Sequence, residues 1–279
     1  MRKLISEVLG EVLLVAAVGC AGLQVGMGQT AITYQHPPQA MERLLEAPAT
    51  PVAVVSPDGK MLAMEQPETL STIAELSEPR LRLAGLRFNP LTNGQTAVPY
   101  ATALSLQAVG GGRARPVTGT PPGLKILYVK WSPDGHLLSF VQRQDGGPGG
   151  LPRAGLELFV VDVKTAEARR LGTMRLNGVL GDPCVWMPDS KGLLCRVVPA
   201  SRGAEPKHDA APEGPDVSEN LGRVSPGRTY EDLLRTPEDE RFFEYYATAE
   251  LAMVPVTGSV RLLPVTGMIE QAKPSPDGR

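Results

Sequence analysis

The residues able to do chemistry are few and scattered. Three histidines, His36, His136 and His208, lie far apart, and none has a Ser or Asp at a companion spacing that would make it the base of a triad. Each reads as a loop or surface residue. A hydrolase serine would sit in a G-x-S-x-G elbow, and the sequence contains none. C-x-x-C and H-E-x-x-H spacings are also missing, so no metal site is spelled out. Gly110-Gly111-Gly112 and Gly146-Gly147-Pro148-Gly149-Gly150 neither open a helix after a strand nor precede Lys-Ser/Thr. They read as hairpin connections rather than phosphate loops. Catalytic, cofactor-binding and metal residues are therefore all assigned as none, and no cofactor is expected.

Two weaker patterns remain. Cys184 and Cys195 flank a turn, and a four-residue loop over 188–191 sets 187 opposite 192 and 184 opposite 195. In an oxidising compartment such a pair can close as a cross-strand disulfide. Buried free thiols are the first expectation. The segment Glu231–Glu250 holds seven acids and two bases. It could meet a substrate amino group or a basic partner surface, but a solvated helix face is the commoner meaning of such a run.

The elements that would position these residues follow from composition. The chain has 279 residues, with 28 Lys+Arg against 30 Asp+Glu. That balance gives no basic stripe for a nucleic acid to use. A hydrophobic share of 42% is enough for a core. With 30 Gly and 27 Pro, about a fifth of the chain is turn-forming, which favours many short strands. Three Cys do not make a disulfide scaffold. Beyond the N-terminus no apolar stretch is long enough to span a membrane.

Arg2 and Lys3 precede the apolar run Val12–Val18, followed by small residues, the pattern of a signal peptide over 1–28. Glu7 and Glu11 sit unusually close to the apolar core. Cleavage after Gly28 fits Gly26-Met27-Gly28; Ala17-Val18-Gly19-Cys20 instead resembles a lipoprotein box acylated at Cys20. A buried N-terminal helix is the alternative to both. Export, to the periplasm or the exterior, is the expectation.

One turn recurs. Ser56-Pro57-Asp58-Gly59 returns as Ser132-Pro133-Asp134-Gly135 and Ser275-Pro276-Asp277-Gly278, with Met187-Pro188-Asp189-Ser190 as a degenerate copy. Pro presets the turn, Asp bonds back to the backbone and Gly accepts positive φ. Apolar runs flank each copy, and two copies directly follow Trp131 and Trp186, so the turn marks an internal repeat. The clearest unit runs through Ile126–Trp131, Leu137–Gln142, Leu156–Asp162 and Ala168–Leu171, four short antiparallel strands that make a β-propeller blade. An earlier blade fits Val52–Val55, Met61–Met64, Thr102–Gln107 and Arg113–Val117. A later one fits Cys184–Met187, Leu193–Val198, Leu251–Val254 and Val260–Leu263. The expected fold is all-β: a partial propeller over 29–279 of three four-stranded blades and the start of a fourth.

The extra length falls between second and third strands, at 66–100 and 199–249. Both insertions should emerge on one face, opposite the Pro-Asp-Gly turns. Both look partly helical, with N-cap pairs at Thr229/Asp232 and Thr236/Asp239 and a helix over Pro237–Tyr246. Residues 199–227 read as a surface loop. Arg279 follows the fourth turn without a return strand, so the sequence looks like the N-terminal part of a longer protein.

Several segments carry a family resemblance: Tyr34-Gln35-His36-Pro37-Pro38, Ala47-Pro48-Ala49-Thr50-Pro51, Leu83-Ala84-Gly85-Leu86-Arg87, Trp131-Ser132-Pro133-Asp134-Gly135 and Pro199-Ala200-Ser201-Arg202-Gly203, then Arg228-Thr229-Tyr230-Glu231-Asp232-Leu233-Leu234 and Phe243-Glu244-Tyr245-Tyr246-Ala247. With them the chain resembles the N-terminal propeller of prolyl oligopeptidase family serine peptidases, glutamyl endopeptidase branch. The resemblance implies a propeller that caps a C-terminal α/β-hydrolase domain and admits peptides rather than folded proteins. It also implies cleavage after acidic residues. That hydrolase domain is absent from these residues, so no catalytic residue carries over.

The resulting expectation is a fragment of an exported serine peptidase, itself inactive, whose propeller gates peptide access to the missing domain. Its partners would be peptide substrates, with no nucleic acid and no membrane span after signal removal. The alternative is a stand-alone periplasmic propeller that binds a partner protein without catalysis. Cleavage specificity, total blade number and oligomeric state are left open.

Overall fold

The structure is a computed structural model that describes residues 36–146, 153–209, 222 and 230–278. The signal segment 1–28 with both of its processing alternatives at Gly28 and Cys20, the Tyr34-Gln35 and Arg228-Thr229 pairs, and Gly147–Gly150 lie outside the described residues. The chain divides into two compact units, Met1–Ala47 and Pro48–Arg279. In the first, the helix α1 spans Gln39–Leu45 and buries none of its residues.

The second unit begins with β1 (Val52–Val55) and β2 (Met61–Pro67), joined by the first Ser-Pro-Asp-Gly turn. With β6 (Ala101–Ala108) and β7 (Arg115–Pro116) they form blade 1, all neighbours antiparallel. Blade 2 is β8 (Ile126–Trp131), β9 (Leu137–Gln144), β10 (Gly155–Asp162) and β11 (Glu167–Arg170). Backbone pairings of Ala101 with Ile126, and of Thr118 just after β7 with Glu167 of β11, link the two blades. Blade 3 is β12 (Cys184–Trp186), β13 (Gly192–Val197), β14 (Thr248–Pro255) and β15 (Arg261–Met268). Every strand expected from the repeat is present in its expected place, and the chain has the fold of a partial β-propeller.

The core lies between blades rather than inside any one of them. Strand β10 shows why: Leu156, Leu158 and Val160 face blade 3, while Phe159 and Val161 face blade 1. A strand covered on both faces reads as a nearly unbroken apolar run, here Leu156-Glu157-Leu158-Phe159-Val160-Val161. Phe140 and Phe159 stack in the first interface with centroids 5.2 Å apart. Trp186, Leu193 and Val254 help fill the second.

The repeated turn explains the spacing of the blades. In each of the three full copies the Gly N–H donates to the Ser carbonyl at 2.8–2.9 Å, with the glycine φ at 71–72°. The Ser hydroxyl donates to the Asp carboxylate at 2.5–2.6 Å. In the degenerate copy, Ser190 takes the glycine's place at φ 59° and accepts from the Asp134 N–H of the preceding blade at 3.1 Å. The tryptophan before a turn reaches the preceding blade as well. Trp131 Nε1 donates to the Val54 carbonyl at 2.9 Å, and Trp186 Nε1 to the Lys130 carbonyl at 3.2 Å. Each carbonyl belongs to the residue two before a turn, so the turn repeat is also an inter-blade ratchet.

Two expectations need correction. The pair Cys184/Cys195, expected as free thiols, is a disulfide with Cα atoms 4.2 Å apart. The register sets the two cysteines directly opposite, and Met187 N–H donates to the Gly192 carbonyl as the four-residue loop requires. The first insertion is partly helical, as expected, over the single turn α2 (Ile73–Leu76), held by a capping box between Thr72 and Glu75. The rest is a small sheet of β3 (Leu81–Leu83), β4 (Leu86–Asn89) and β5 (Gly94–Gln95). Ala84 and Gly85, at φ 54° and 75°, make the tight hairpin connection that alternating Leu81, Leu83 and Leu86, Phe88 require. In the second insertion α3 spans Pro237–Ala247, with Thr236 and Asp239 as its capping box and Pro237 in the first turn. Of the other proposed cap pair, Thr229 is undescribed; Asp232 sits at φ 57°, outside any helix.

Candidate functional site

The loops between the second and third strands of all three blades meet on the face away from the Pro-Asp-Gly turns. Four of the segments singled out for their resemblance meet there too: Leu83–Arg87, Pro199–Gly203, the described part of Arg228–Leu234, and Phe243–Ala247. Gly85 N–H donates to the Asp232 carbonyl at 2.8 Å. Arg87 reaches Asp232 at 2.7 Å and Glu231 at 2.6 Å, so Leu83–Arg87 docks on the Glu231–Leu234 segment. Phe88, fully buried, packs on Tyr246 of α3 with centroids 5.4 Å apart. Leu83, Val179 and Phe242 complete this insertion core. Asn177 and Asn93 both donate to the Tyr246 carbonyl, closing the end of α3 onto the blades.

Most of the acidic run is used internally rather than presented. Glu231 and Asp232 hold Arg87; Asp239 caps α3; Glu238 accepts from the Asp209 N–H and is held below the ordinary carboxylate range by that bond and by His208. His208 stacks on Phe242 at 4.6 Å and lies 2.6 Å from Glu238; His36 and His136 are exposed. No two histidines are brought together.

Beside the insertion core an ionic network ties α2 to blade 2. Glu75 accepts from Lys125 and from the Tyr100 hydroxyl; Lys125 also pairs with Asp145 at 2.6 Å. Arg143 bridges Glu78 and Asp145 at 2.5 and 2.6 Å. Burial alone would raise the Glu75 carboxyl, but Lys125, Tyr100 and the Thr72 N–H outweigh it and hold the group at about 2.

Next to this network lie two adjoining cavities of about 400 and 510 Å³ that share Arg153, Arg175, Arg202 and Tyr245. Arg202 stacks over Tyr245 at 4.6 Å and donates to Asn93 Oδ1 at 2.7 Å. Arg175 donates through Nη2 to the Leu91 carbonyl at 2.9 Å. Its Nε is buried and unbonded, the one such side-chain nitrogen or oxygen among the described residues. Burial first, then Arg153 and Arg202, pulls the Arg175 guanidinium below its usual value. Among the described residues no carboxylate pairs with any of the three arginines. The resemblance segments had marked Arg202 and Tyr245. Arg153 and Arg175 carry no sequence signal, since they stand 49 and 27 residues before Arg202 on other loops.

Three antiparallel four-stranded blades, packed face to face and tied by one repeated turn, define the chain as part of a β-propeller. It is 31% identical over 257 residues to "Probable glutamyl endopeptidase, chloroplastic" of Oryza sativa subsp. japonica. It is 32% identical over 264 residues to the protein of that name in Arabidopsis thaliana. These alignments take in 88% and 91% of the chain but 27% and 26% of the relatives, so the chain spans about a quarter of the length of the curated relatives it matches. The kinship supports a peptidase-family propeller. No protein-family model matches the chain. Among solved structures, Pyrococcus horikoshii acylaminoacyl peptidase aligns at 11% identity and TM-score 0.35, over 74% of this chain and 23% of that one. The β-propeller domain of the Trilobed protease from Pyrococcus furiosus aligns at 12% and 0.29, over 53% and 35%. Scores of that size add nothing to the fold, which rests on the sheets themselves.

Proposed function

We propose that the chain is the propeller portion of an exported serine peptidase of the prolyl oligopeptidase kind, glutamyl endopeptidase branch, and that it gates the access of peptides to a hydrolase domain. The observation that carries this reading is the alignment of nine-tenths of the chain with relatives named as probable peptidases, about three and a half times its length. No nucleophile elbow lies within the 279 residues, so attack by Ser, assisted by His and oriented by Asp, belongs to residues outside this sequence. The propeller contributes selection. Blades held by turn and tryptophan contacts leave folded proteins outside, and the converging insertions offer flexible peptides a surface. The Cys184–Cys195 disulfide suits an oxidising compartment, which supports export alongside the basic-then-apolar N-terminus.

The test is peptide hydrolysis by the 279-residue chain and by the chain extended with whatever its gene encodes next. The expected result is no turnover by the chain alone and turnover, blocked by a serine-directed inhibitor, by the extended protein. Inhibitor-sensitive turnover by the chain alone would overturn the proposal, as would an extended frame with no nucleophile elbow.

A further inference from the structure

The outer rim of the blades carries a second repeat that no sequence motif marks. Arg115 on β7, Arg169 on β11 and Arg261 on β15 stand opposite Leu106, Val160 and Met253. In each blade that partner lies two residues before the end of the third strand. Leu106 and Val160 pack toward the following blade, and Met253 lies on the outer face of blade 3. The three arginines are therefore equivalent by register. Two of them cross to the next blade. Arg115 donates to the Val163 and Lys164 carbonyls, both at 2.8 Å, and Arg169 Nη2 donates to the Val256 carbonyl at 2.6 Å. Arg261 is exposed and has no hydrogen-bond or ion-pair partner among the described residues.

The acceptors repeat as well. Val109, Val163 and Val256 each directly follow the third strand of a blade. Each valine N–H donates to the carbonyl of the residue after its own blade's Pro-Asp turn: Lys60 at 2.8 Å, His136 at 3.1 Å and Lys191 at 2.8 Å. That bond holds the valine in the same place in all three blades. In blades 2 and 3 its carbonyl takes the arginine of the preceding blade. The Val109 carbonyl, at the open end of blade 1, takes no donor among the described residues. The outer face of blade 3 is apolar, with Met187, Leu194 and Leu251 clustered with Val185, Met253 and Leu263. The fourth turn already rests there, since a Cβ on Gly278 would lie 3.9 Å from Met187 Cε. Gly135 sits on Pro57 of the preceding blade's turn in the same way, at 3.7 Å.

We infer that Arg261 is the third member of an inter-blade rim clasp, waiting for a further four-stranded blade of the same polypeptide. The carbonyl directly after that blade's third strand takes the Arg261 guanidinium, as Val163 and Val256 take Arg115 and Arg169. A charged donor makes such a bond stronger than a neutral one. The occupant follows from continuity, because donor, apolar face and stacked turn stand in the register that blades 1 and 2 use for their own neighbours. A second copy of the chain would bring its own Ser56–Gly59 turn to Met187, where Ser275–Gly278 already sits. Arg261 is a positioning residue, and the inference borrows from the peptidase reading only the longer polypeptide.

The experiment compares thermal unfolding of the 279-residue chain with that of the chain extended by what its gene encodes next. Arg169→Gln, which breaks a clasp already closed, should lower the propeller midpoint by about 2–4 °C in both proteins. Arg261→Gln should leave the midpoint of the 279-residue chain in place, because the residue has no partner there to lose. In the extended protein the same variant should cost as much as Arg169→Gln. Arg261→Lys, which keeps a donor, should recover part of that loss, an outcome that mere loss of side-chain packing would not give. Equal midpoints for Arg261→Gln and its parent in the extended protein overturn the inference, as does a loss confined to the shorter chain. A neutral Arg169→Gln removes the clasp altogether. Sedimentation velocity supplies the remaining arm: a dimer of the shorter chain that Arg261→Gln disperses would make a second copy the occupant and overturn the inference as stated. An extension with a nucleophile elbow but a neutral Arg261→Gln sinks the clasp and keeps the peptidase reading. Further blades with a costly Arg261→Gln but no elbow do the reverse.

Discussion

Reduction of the Cys184–Cys195 disulfide should measurably destabilise the second compact unit, by an amount the chain itself sets. The bridge joins residues 11 apart, and both are buried, at 6% and 1% exposure, between blades 2 and 3. In the folded sheet they already stand opposite one another, so the bond adds little order there. Its effect falls on the unfolded chain, where closing so short a loop removes entropy worth about 2.5–3 kcal/mol. For a unit of this size each kcal/mol moves the midpoint by roughly 2–4 °C, so the expected loss is about 5–12 °C. The assay is thermal unfolding followed by circular dichroism, with and without dithiothreitol. The double variant Cys184→Ala/Cys195→Ala serves as the control that the reductant no longer shifts. A shift below about 2 °C for the parent chain would falsify the loop-entropy argument, and a comparable shift in the control would assign the effect to something other than this bond.

Two further outcomes test the positioning elements. Because the folded Glu75 carboxyl is held at about 2, below its ordinary value of 4.5, its contribution to stability is complete above about pH 4.5 and is lost as pH falls toward 2. Urea midpoints between pH 5 and 2.5 should fall more steeply for the parent than for Glu75→Gln, and parallel curves would refute the assignment. Replacing Trp131 or Trp186 by Phe keeps an aromatic ring but leaves the Val54 or Lys130 carbonyl without its indole donor. Each change should cost about 1 kcal/mol by urea denaturation; a neutral result at both would remove the inter-blade ratchet.

The blades were legible because their information is local. Pro, Asp and Gly at fixed offsets specify a turn through φ values and one side-chain bond, and the flanking apolar runs specify strands. The helix over Pro237–Ala247 was legible for the same reason, since Thr236, Pro237 and Asp239 cap it within one turn. The first insertion was harder. Its apolar spacing is short enough to read as helix or strand, and pairing of Leu81–Leu83 with Leu86–Phe88 decides it only once Phe88 has the Tyr246 ring to pack against.

The sequence by itself determined the repeat, the twelve blade strands, and the opposition of Cys184 and Cys195, because each depends on residues a few positions apart. Tertiary structure alone decided that the opposed cysteines are bonded, that Leu83–Arg87 docks on Glu231–Leu234, and that Arg153, Arg175 and Arg202 share one recess. Those facts depend on loops from different blades arriving at one face. No local pattern encodes such a meeting, since it is fixed by the packing of one blade against the next.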